Sequence, residues 1–242
     1  TLQLYQKLQP ELSNNELQKL FEEIEIPLIP VLTKIEENGV AIDVKFLKDY
    51  SNVFSEEILK AQQEIFEMSG TSFNMDSPKQ LGEVLFDFMK IPYQGKKTKT
   101  GQYSTNEETL QKLAEEQPIV HKILDYRELT KLKSTYIDAL PNIVNPRTGL
   151  VHTTFNQTIA STGRLSSTNP NLQNIPIKTE RGKEIRRAFI ARGNNRVILS
   201  ADYSQIELRI IASLSKDPKM VEAFELGLDI HAATAANVYG VS

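Results

Sequence analysis

Asp202 is the residue of this sequence with the clearest chemical potential. It follows the apolar, β-prone run 197–201 and precedes a run of helical periodicity from Gln205 to Leu214. A carboxylate at a strand–helix junction can hold Mg²⁺. This ion takes oxygen ligands, keeps several bound waters and usually completes its coordination shell with substrate phosphates. For an isolated residue the competing interpretation, a cap for the following helix, is favoured. The neighbouring residues, as far as Arg209, reverse that preference.

Glu207 is the second acidic residue of this segment. It lies five residues after Asp202, about a turn and a half into the predicted helix, so it can approach the same pocket from the helix side. The alternative interpretation is an exposed helix residue or a partner for Arg209. The spacing therefore makes Glu207 a candidate site residue without defining its role.

The polar stretch 160–176 forms a second group of candidates. Arg164 follows a glycine, which lets backbone come close to a ligand. Gln173 and Asn174 carry amides that both donate and accept, and these suit the N3 and O2 acceptors in the minor groove of DNA. Long loops inside compact domains are uncommon and often functional. The alternative is a polar loop with Asx turns, which composition alone would favour.

Basic residues mark further candidate contacts. The helical run 131–136 combines lysines with hydroxyl side chains, including Lys133 and Ser134, which are ordinary phosphate contacts. His231 begins a predicted helix, where it could meet a phosphate. The alternatives are a solvated helix face and a first-turn residue without a ligand.

Two other basic groups lie outside the 131–136 helical run. The first is the Gly-flanked loop 91–104, which could bring lysines to phosphates, although most such loops are mobile and solvated. The second precedes a predicted strand at 189–191. The loop carries Lys96, Lys97 and Lys99, and the second group consists of Arg181, Lys183, Arg186 and Arg187.

Composition describes an ordinary globular protein. The 242 residues are 40% hydrophobic and 24% charged, which permits one large domain or two modest ones. The absence of Cys excludes disulfides and Cys-ligated metal sites. No apolar run is long enough to span a membrane and no signal peptide is visible, so a cytoplasmic protein without a membrane partner is expected.

Charge is distributed unevenly. The net charge is -3, but residues 1–120 carry -8, residues 121–210 carry +7 and residues 211–242 carry -2. A basic middle inside an acidic chain is typical of a polyanion site. On charge alone, a chance fluctuation is about as good an explanation.

The elements that position these candidates predict an α+β fold. The first half has helical periodicity with clear start and stop signals, and the second half adds β-prone runs. In the first half, helices are predicted over 14–25, from Pro27 to Gly39, from Asp43 to Gly70, from Ser77 onward, from the cap residue Thr105 to 116, and from Pro118 to 144. In the second half, helices are predicted from Gln205 to Leu214, from Pro218 to Leu226 and from Asp229 to 239. Strands are predicted at 151–156, 189–191 and 196–200.

Several of these motifs, in this order, resemble family A DNA polymerases, the bacterial DNA polymerase I type. Residues 202–209 are similar to the first palm motif (motif A) of that family. Residues 162–167 and 171–176 resemble its primer–template segment, and residues 131–136 resemble its thumb helix. The resemblance covers nearly the whole chain.

The resemblance implies a domain order. It predicts the tail of a preceding exonuclease-like domain in residues 1–25, a mostly helical thumb in 26–145, an incomplete antiparallel-sheet palm in 146–216 and the first fingers helices in 217–242. The family's later fingers helix and its His-Asp-Glu motif have no match here. We therefore expect a truncated piece that is inactive alone, from a monomeric polymerase of replication and repair located at the bacterial nucleoid.

The resemblance also implies roles for individual residues. Asp202 is implied to bind the catalytic Mg²⁺ ions, assisted by the Tyr203 carbonyl, during two-metal phosphoryl transfer to a primer 3′ end. Glu207 is implied to crowd the sugar 2′ position, against ribonucleotides. The remaining deoxynucleoside triphosphate contacts are Ser204, Gln205, Ile206 and His231. The implied primer–template contacts are Arg164, Gln173 and Asn174 in the minor groove, and Lys133, Ser134 and the lysines of the 91–104 loop on the backbone.

Two other function classes compete with this one. A non-catalytic duplex-binding module would keep the DNA-facing surface without the chemistry. A single-subunit RNA polymerase type of nucleotidyltransferase is disfavoured, because Glu207 would exclude ribose.

Overall fold

The fold is taken from a computed structural model. It describes residues 1–240 except Gln94, Lys96 and Lys178, and gives only the backbone of Ala233, Asn237 and Val238. The described chain forms two compact units, the first from Thr1 to Arg196 and the second from Val197 onward. The first unit holds the predicted DNA contacts apart from the nucleotide site, and the second holds residues 202–209.

Helices account for most of the first unit. They are α1 (Leu2–Asn14), α2 (Gln18–Leu20), α3 (Ile26–Asn38), α4 (Val44–Ser69), α5 (Pro78–Gly82), α6 (Glu107–Ala114), α7 (Pro118–Leu132), α8 (Ala139–Asn142) and α9 (Glu180–Arg186). Three π-helical segments join or extend them, at Phe21–Glu25, Glu83–Phe88 and Lys133–Ile137. The mostly helical first half is confirmed.

Local capping chemistry explains where several helices begin and end. The Asp43 side chain accepts the Phe46 amide at the start of α4, and Gly70 ends that helix in the left-handed conformation that glycine adopts without strain. Ser77 accepts the Gln80 amide before α5. These boundaries match the sequence prediction.

Two predicted helix boundaries are wrong. Residues 14–25 do not form one helix, because α1 ends at Asn14 and the chain becomes helical again at Gln18. The cap of α6 is Asn106, which accepts the Thr109 amide. Thr105 is buried instead, and its two oxygens accept hydrogen bonds from the partly buried Arg127 guanidinium, which needs acceptors away from water.

The main hydrophobic core lies among α4, α6 and α7. It contains fully buried residues from each helix, among them Phe54, Leu110 and Ile123, and it reaches Ile185 in α9. A second, smaller cluster contains Leu47, Leu140 and Val151. Tyr136 packs against both clusters and Leu172 packs against the smaller one. The clusters therefore hold the chain beside two groups of candidate contacts, in 131–136 and in 160–176.

The sheets are small and antiparallel. Strand β1 (Ala41–Ile42) pairs with β4 (Phe189–Ile190), and β2 (Thr154–Asn156) pairs with β3 (Ser166–Thr168). The predicted strands at 151–156 and 189–191 are thus confirmed in part, and helices with small antiparallel sheets confirm the α+β fold class.

The predicted strand at 196–200 is wrong. These residues form no strand, and Val197 and Leu199 are 88% and 87% exposed. A strand is stabilised by a neighbouring ladder and by burial of one face. No other segment in the described part of the chain pairs with this run, so its β propensity is not realised.

The second unit consists of α10 (Ile206–Ser215), α11 (Pro218–Glu225) and α12 (Ile230–Tyr239). Asp217 caps α11 by accepting the Met220 amide, and Asp229 caps α12 by accepting the amides of His231 and Ala232. All three predicted helices are confirmed. Among the described residues, no helix is long and apolar enough to cross a membrane.

Candidate functional site

Asp202 lies in an exposed turn that leads into α10. The helix begins at Ile206, and its N-cap residue is Gln205, in the left-handed conformation at φ 51°. Asp202 lies three residues before that cap, so the helix-cap interpretation is wrong. Within the described part of its unit, nothing forms a hydrogen bond or ion pair with the Asp202 carboxylate. An exposed carboxylate without such a partner is available to a cation.

The oxygen atoms that this turn offers are of the kind that Mg²⁺ binds, although they fill only part of its coordination shell. The Asp202 carboxylate and the adjacent Tyr203 carbonyl offer only oxygen, which is the ligand type that Mg²⁺ prefers. Tyr203 is 79% exposed, so solvent reaches both groups. Among the described residues no group of three His, Cys, Asp or Glu side chains could hold a metal. The turn therefore supplies part of a coordination shell that water and phosphate oxygens can extend.

The start of α10 carries the predicted nucleotide contacts. Ser204, Ile206 and Glu207 are exposed, and Gln205 is half-buried. Arg209 stabilises this turn, because its Nε donates to the Ser204 carbonyl at 3.0 Å and its guanidinium lies 4.6 Å from the Phe224 ring centre. Sequence reasoning missed this role of Arg209.

His231 lies exposed in the first turn of α12. Its amide donates to the Asp229 carboxylate at 2.8 Å, and the amide of Ala232 donates to the same oxygen. These two backbone hydrogen bonds lower the pKa of Asp229, which stays ionised as the helix cap. The capping places the His231 side chain at a helix N-terminus, and its contact with a phosphate stays a prediction.

The predicted minor-groove residues lie on exposed loops of the first unit. Arg164 precedes β3 and follows Gly163, whose φ of 75° favours glycine. Gln173 and Asn174 occupy a turn in which the Gln173 amide donates to Asn171 Oδ1 at 3.0 Å. The Asx turn that composition indicated is therefore present, and it presents both amide side chains to solvent.

A buried polar network holds the loop behind these residues. The Thr153 hydroxyl lies 2.9 Å from Ser167 Oγ and donates to the Pro170 carbonyl at 2.7 Å, and the Leu172 amide donates to Ser167 Oγ at 2.9 Å. Buried hydroxyls need such partners. The sequence carries no signal for this network, because Thr153 and Ser167 are distant in the chain.

Close packing fixes the end of the same loop. Gly182 in α9 lies against Pro176, and a Cβ on Gly182 would be 2.6 Å from the Pro176 Cβ. Only glycine permits that approach. The glycine inside a short helix was the available sequence signal, and sequence reasoning missed it.

Lys133 is engaged inside the protein. Its ammonium donates to Asp138 Oδ2 at 2.7 Å and to Ser51 Oγ at 2.9 Å. Partial burial raises the pKa of Asp138, but the hydrogen bonds from Lys133 and Ser51 outweigh it and leave that pKa lowered. Ser134 is exposed, and its hydroxyl donates to the Lys131 carbonyl. Phosphate binding by Lys133 stays a prediction and requires the ammonium to share or leave Asp138.

The basic loop is anchored by aromatic rings. Phe86, Tyr93 and Tyr103 lie with ring centres 4.6–5.0 Å apart, and the Tyr103 hydroxyl donates to Asp87 at 2.7 Å. Lys97 Nζ lies 4.1 Å from the Tyr103 ring centre. Lys99 is exposed, and Lys96 lies outside the described residues.

Three of the four side chains in the basic group before β4 form ion pairs with carboxylates. Arg181 donates to Glu57 in α4 and to Asp125 in α7, at 3.1 and 2.5 Å. Burial lowers the pKa of Arg181, but the hydrogen bond and charge of Asp125 outweigh it. Lys183 pairs with Glu180 and Arg187 pairs with Glu184. The sequence hid the partners of Arg181, because Glu57 and Asp125 lie in distant helices. The pairs of Lys183 and Arg187 are local, with the two residues three positions apart.

Comparisons with known proteins agree with the motif order. The family model for DNA polymerase family A matches residues 44–242. The chain is 49% identical to DNA polymerase I of Chloroflexus aurantiacus over 100% of its own length and 48% identical to DNA polymerase I of Geobacillus stearothermophilus over 99%, and it spans 26% and 27% of those proteins.

A solved structure of a DNA polymerase domain has a similar fold. The POL domain of Pol1 from M. smegmatis, in complex with DNA primer-template and dNTP, matches with a TM-score of 0.89 and 43% identity, over 100% of this chain and 42% of that one. The resemblance in motif order, the family match over most of the chain and the shared fold lead to one conclusion. The chain belongs to DNA polymerase family A.

Proposed function

We propose that this protein is a template-directed DNA polymerase, which adds deoxynucleotides to a primer 3′ end in replication and repair at the bacterial nucleoid. The observation that carries the proposal is the exposed Asp202 carboxylate, three residues ahead of the cap of α10 inside the family's motif A segment. Because the chain spans about a quarter of the curated relatives, the activity is proposed for the complete protein and not for this segment alone.

Asp202 and the Tyr203 carbonyl would hold Mg²⁺. When bound, the metal stabilises negative charge on the attacking and leaving oxygens of phosphoryl transfer. The protein contributes an exposed carboxylate, in a turn that Arg209 stabilises through the Ser204 carbonyl. His231, at the N-terminus of α12, would hold a phosphate of the incoming nucleotide.

The first unit would grip the primer–template duplex. Gln173 and Asn174 would meet minor-groove acceptors that all base pairs share, so the protein tests pair shape without reading sequence. Arg164 would contact the same groove near the primer end, and Lys97, Lys99 and Ser134 would contact the backbone. The proposed thumb, 26–145, and the palm residues up to Arg196 belong to one compact unit.

Binding by the 242-residue chain tests this surface. We expect fluorescence anisotropy to show affinity for a labelled duplex with a recessed 3′ end, with log K falling linearly with log salt by about 0.9 for each neutralised phosphate. Arg164→Ala is expected to weaken binding about tenfold, because a well-formed contact to base edges contributes ~1–3 kcal/mol. Arg147→Ala, which removes the same charge from an exposed turn, is the control. Equal affinity of the Arg164 variant and the unchanged chain would contradict the minor-groove role.

Glu207 would set the choice of sugar. We expect Glu207→Ala in the complete protein to raise ribonucleotide incorporation relative to deoxynucleotide incorporation by at least about tenfold, or ~1.4 kcal/mol, because the smaller side chain leaves room for a 2′-hydroxyl. Competition between matched rNTP and dNTP in single-turnover extension measures the ratio. Glu225→Ala, on the exposed face of α11, is the control, and an unchanged ratio in the Glu207 variant would rule out the steric role.

A further inference from the structure

Tyr136 connects the 131–136 segment, which resembles the family's thumb helix, to the predicted minor-groove turn at Gln173 and Asn174. It lies in the π-helical segment that continues α7, and its hydroxyl donates to the Asn174 carbonyl at 2.5 Å. The Tyr136 phenol is protonated at neutral pH and can donate, and burial raises its pKa further. The bond joins residues 38 positions apart in the chain, and therefore fixes tertiary structure.

The Tyr136 ring is itself held by packing. It is half-buried and contacts both hydrophobic clusters, the main one among α4, α6 and α7 and the smaller one around Leu47 and Leu140. π-helical segments inside α-helices occur frequently at functional sites. A ring fixed on two sides directs its hydroxyl in a defined direction, which a flexible side chain could not do.

The turn at Gln173 and Asn174 depends on a few neighbours for its position. Before it, Leu172 packs against the smaller cluster. After it, Arg186 donates to the Ile175 carbonyl at 3.4 Å, a long hydrogen bond, and Pro176 packs on Gly182. The short bond from Tyr136 acts at the centre of the turn, beside the two amide side chains.

We propose that Tyr136 is a positioning residue whose hydroxyl orients the Gln173–Asn174 turn so that both amides meet the minor groove of the last base pairs at the primer end. The inference rests on the proposed function. A mismatched pair displaces the groove acceptors, so only a turn held in one orientation discriminates between correct and incorrect pairs. Tyr136 would thereby contribute to rejection of mismatched primer ends without touching DNA.

Hydrogen–deuterium exchange tests the tether without any activity. In the complete protein, Tyr136→Phe removes the hydroxyl and keeps the ring. We expect exchange of the backbone amides of Gln173, Asn174 and Ile175 to accelerate about three- to tenfold, the range set by loss of one hydrogen bond. Tyr126→Phe is the matched control, because Tyr126 is a buried α7 residue whose hydroxyl bonds to no described residue. Equal exchange rates of these amides in both variants would show that the Tyr136 hydroxyl does not hold the turn in place.

Extension from matched and mismatched primer ends tests the positioning role. We expect Tyr136→Phe to lower the matched-to-mismatched ratio of kcat/KM about three- to tenfold, and Tyr126→Phe to leave it unchanged. Adding Gln173→Ala to Tyr136→Phe should lower the ratio no further than Gln173→Ala alone, since both changes act through one turn. If Tyr136→Phe leaves this ratio unchanged, Tyr136 does not act as a positioning residue. If the unchanged protein shows no template-directed extension, the proposed function is wrong instead. The hydrogen–deuterium exchange measurement then still tests whether the Tyr136 hydroxyl holds the turn.

Discussion

Asp202→Ala in the complete protein is expected to reduce primer extension by at least about a thousandfold, or ~4 kcal/mol of transition-state stabilisation. The loss follows because the carboxylate would hold the metal that stabilises charge at the reacting phosphate. The affinity for primer–template should stay within about twofold, since Asp202 neither caps a helix nor pairs with a described residue of its unit. Single-turnover extension and anisotropy on the same preparation measure the two quantities.

Glu222→Ala is the matched control for this experiment. Glu222 lies exposed on α11 in the same unit, and its removal changes net charge by the same amount. We expect it to leave extension unchanged. A parallel collapse of DNA binding in the Asp202 variant would mark Asp202 as structural, and full extension by that variant would exclude it from catalysis.

Phe54→Ala is expected to destabilise the chain by about 3–5 kcal/mol, the range for removing a large aromatic side chain from a core. Phe54 is 0% exposed in α4, and its ring centre lies 4.8 Å from that of Tyr50. The cavity would open in the main hydrophobic core, against which Tyr93 and Tyr103 of the predicted DNA-binding loop pack. The loss is a large part of the ordinary stability of a domain, about 5–15 kcal/mol.

Urea denaturation of the 242-residue chain, followed by circular dichroism, measures this effect. Val53→Ala, the adjacent residue, is the control, because Val53 is 45% exposed and its truncation should change stability by no more than about 0.5 kcal/mol. We expect a lower midpoint for the Phe54 variant alone, with an unchanged slope. Equal midpoints for the two variants would contradict the assignment of Phe54 to the core.

Local chemistry was the part of the fold that sequence could predict. Helix α4 begins after Asp43 and ends before Gly70, as expected. A side-chain acceptor and a left-handed glycine determine helix ends through contacts with residues only a few positions away. The run 197–201 shows the limit of such reasoning. Its β propensity is high, yet strand formation depends on a pairing partner elsewhere, which propensity does not report.

The candidate site shows the same division. Asp202 and Glu207 were found by spacing and motif, since both lie in one short segment. The structure added what sequence separation hides: Arg181 is neutralised by carboxylates of α4 and α7, Thr153 binds Ser167, and the Tyr136 hydroxyl binds Asn174. These contacts join residues between 14 and 124 positions apart in the chain, and no local pattern encodes them.

Single-nucleotide incorporation by the complete protein tests the central claim most directly. Four primer–templates that differ only in the next template base are each offered the four dNTPs separately, with Mg²⁺ and with the metal chelated. We expect the complementary nucleotide alone to be added efficiently, one residue to the primer 3′ end, and only with the metal. Incorporation that ignores the template base, or no incorporation with any combination, would contradict assignment of the protein as a template-directed DNA polymerase.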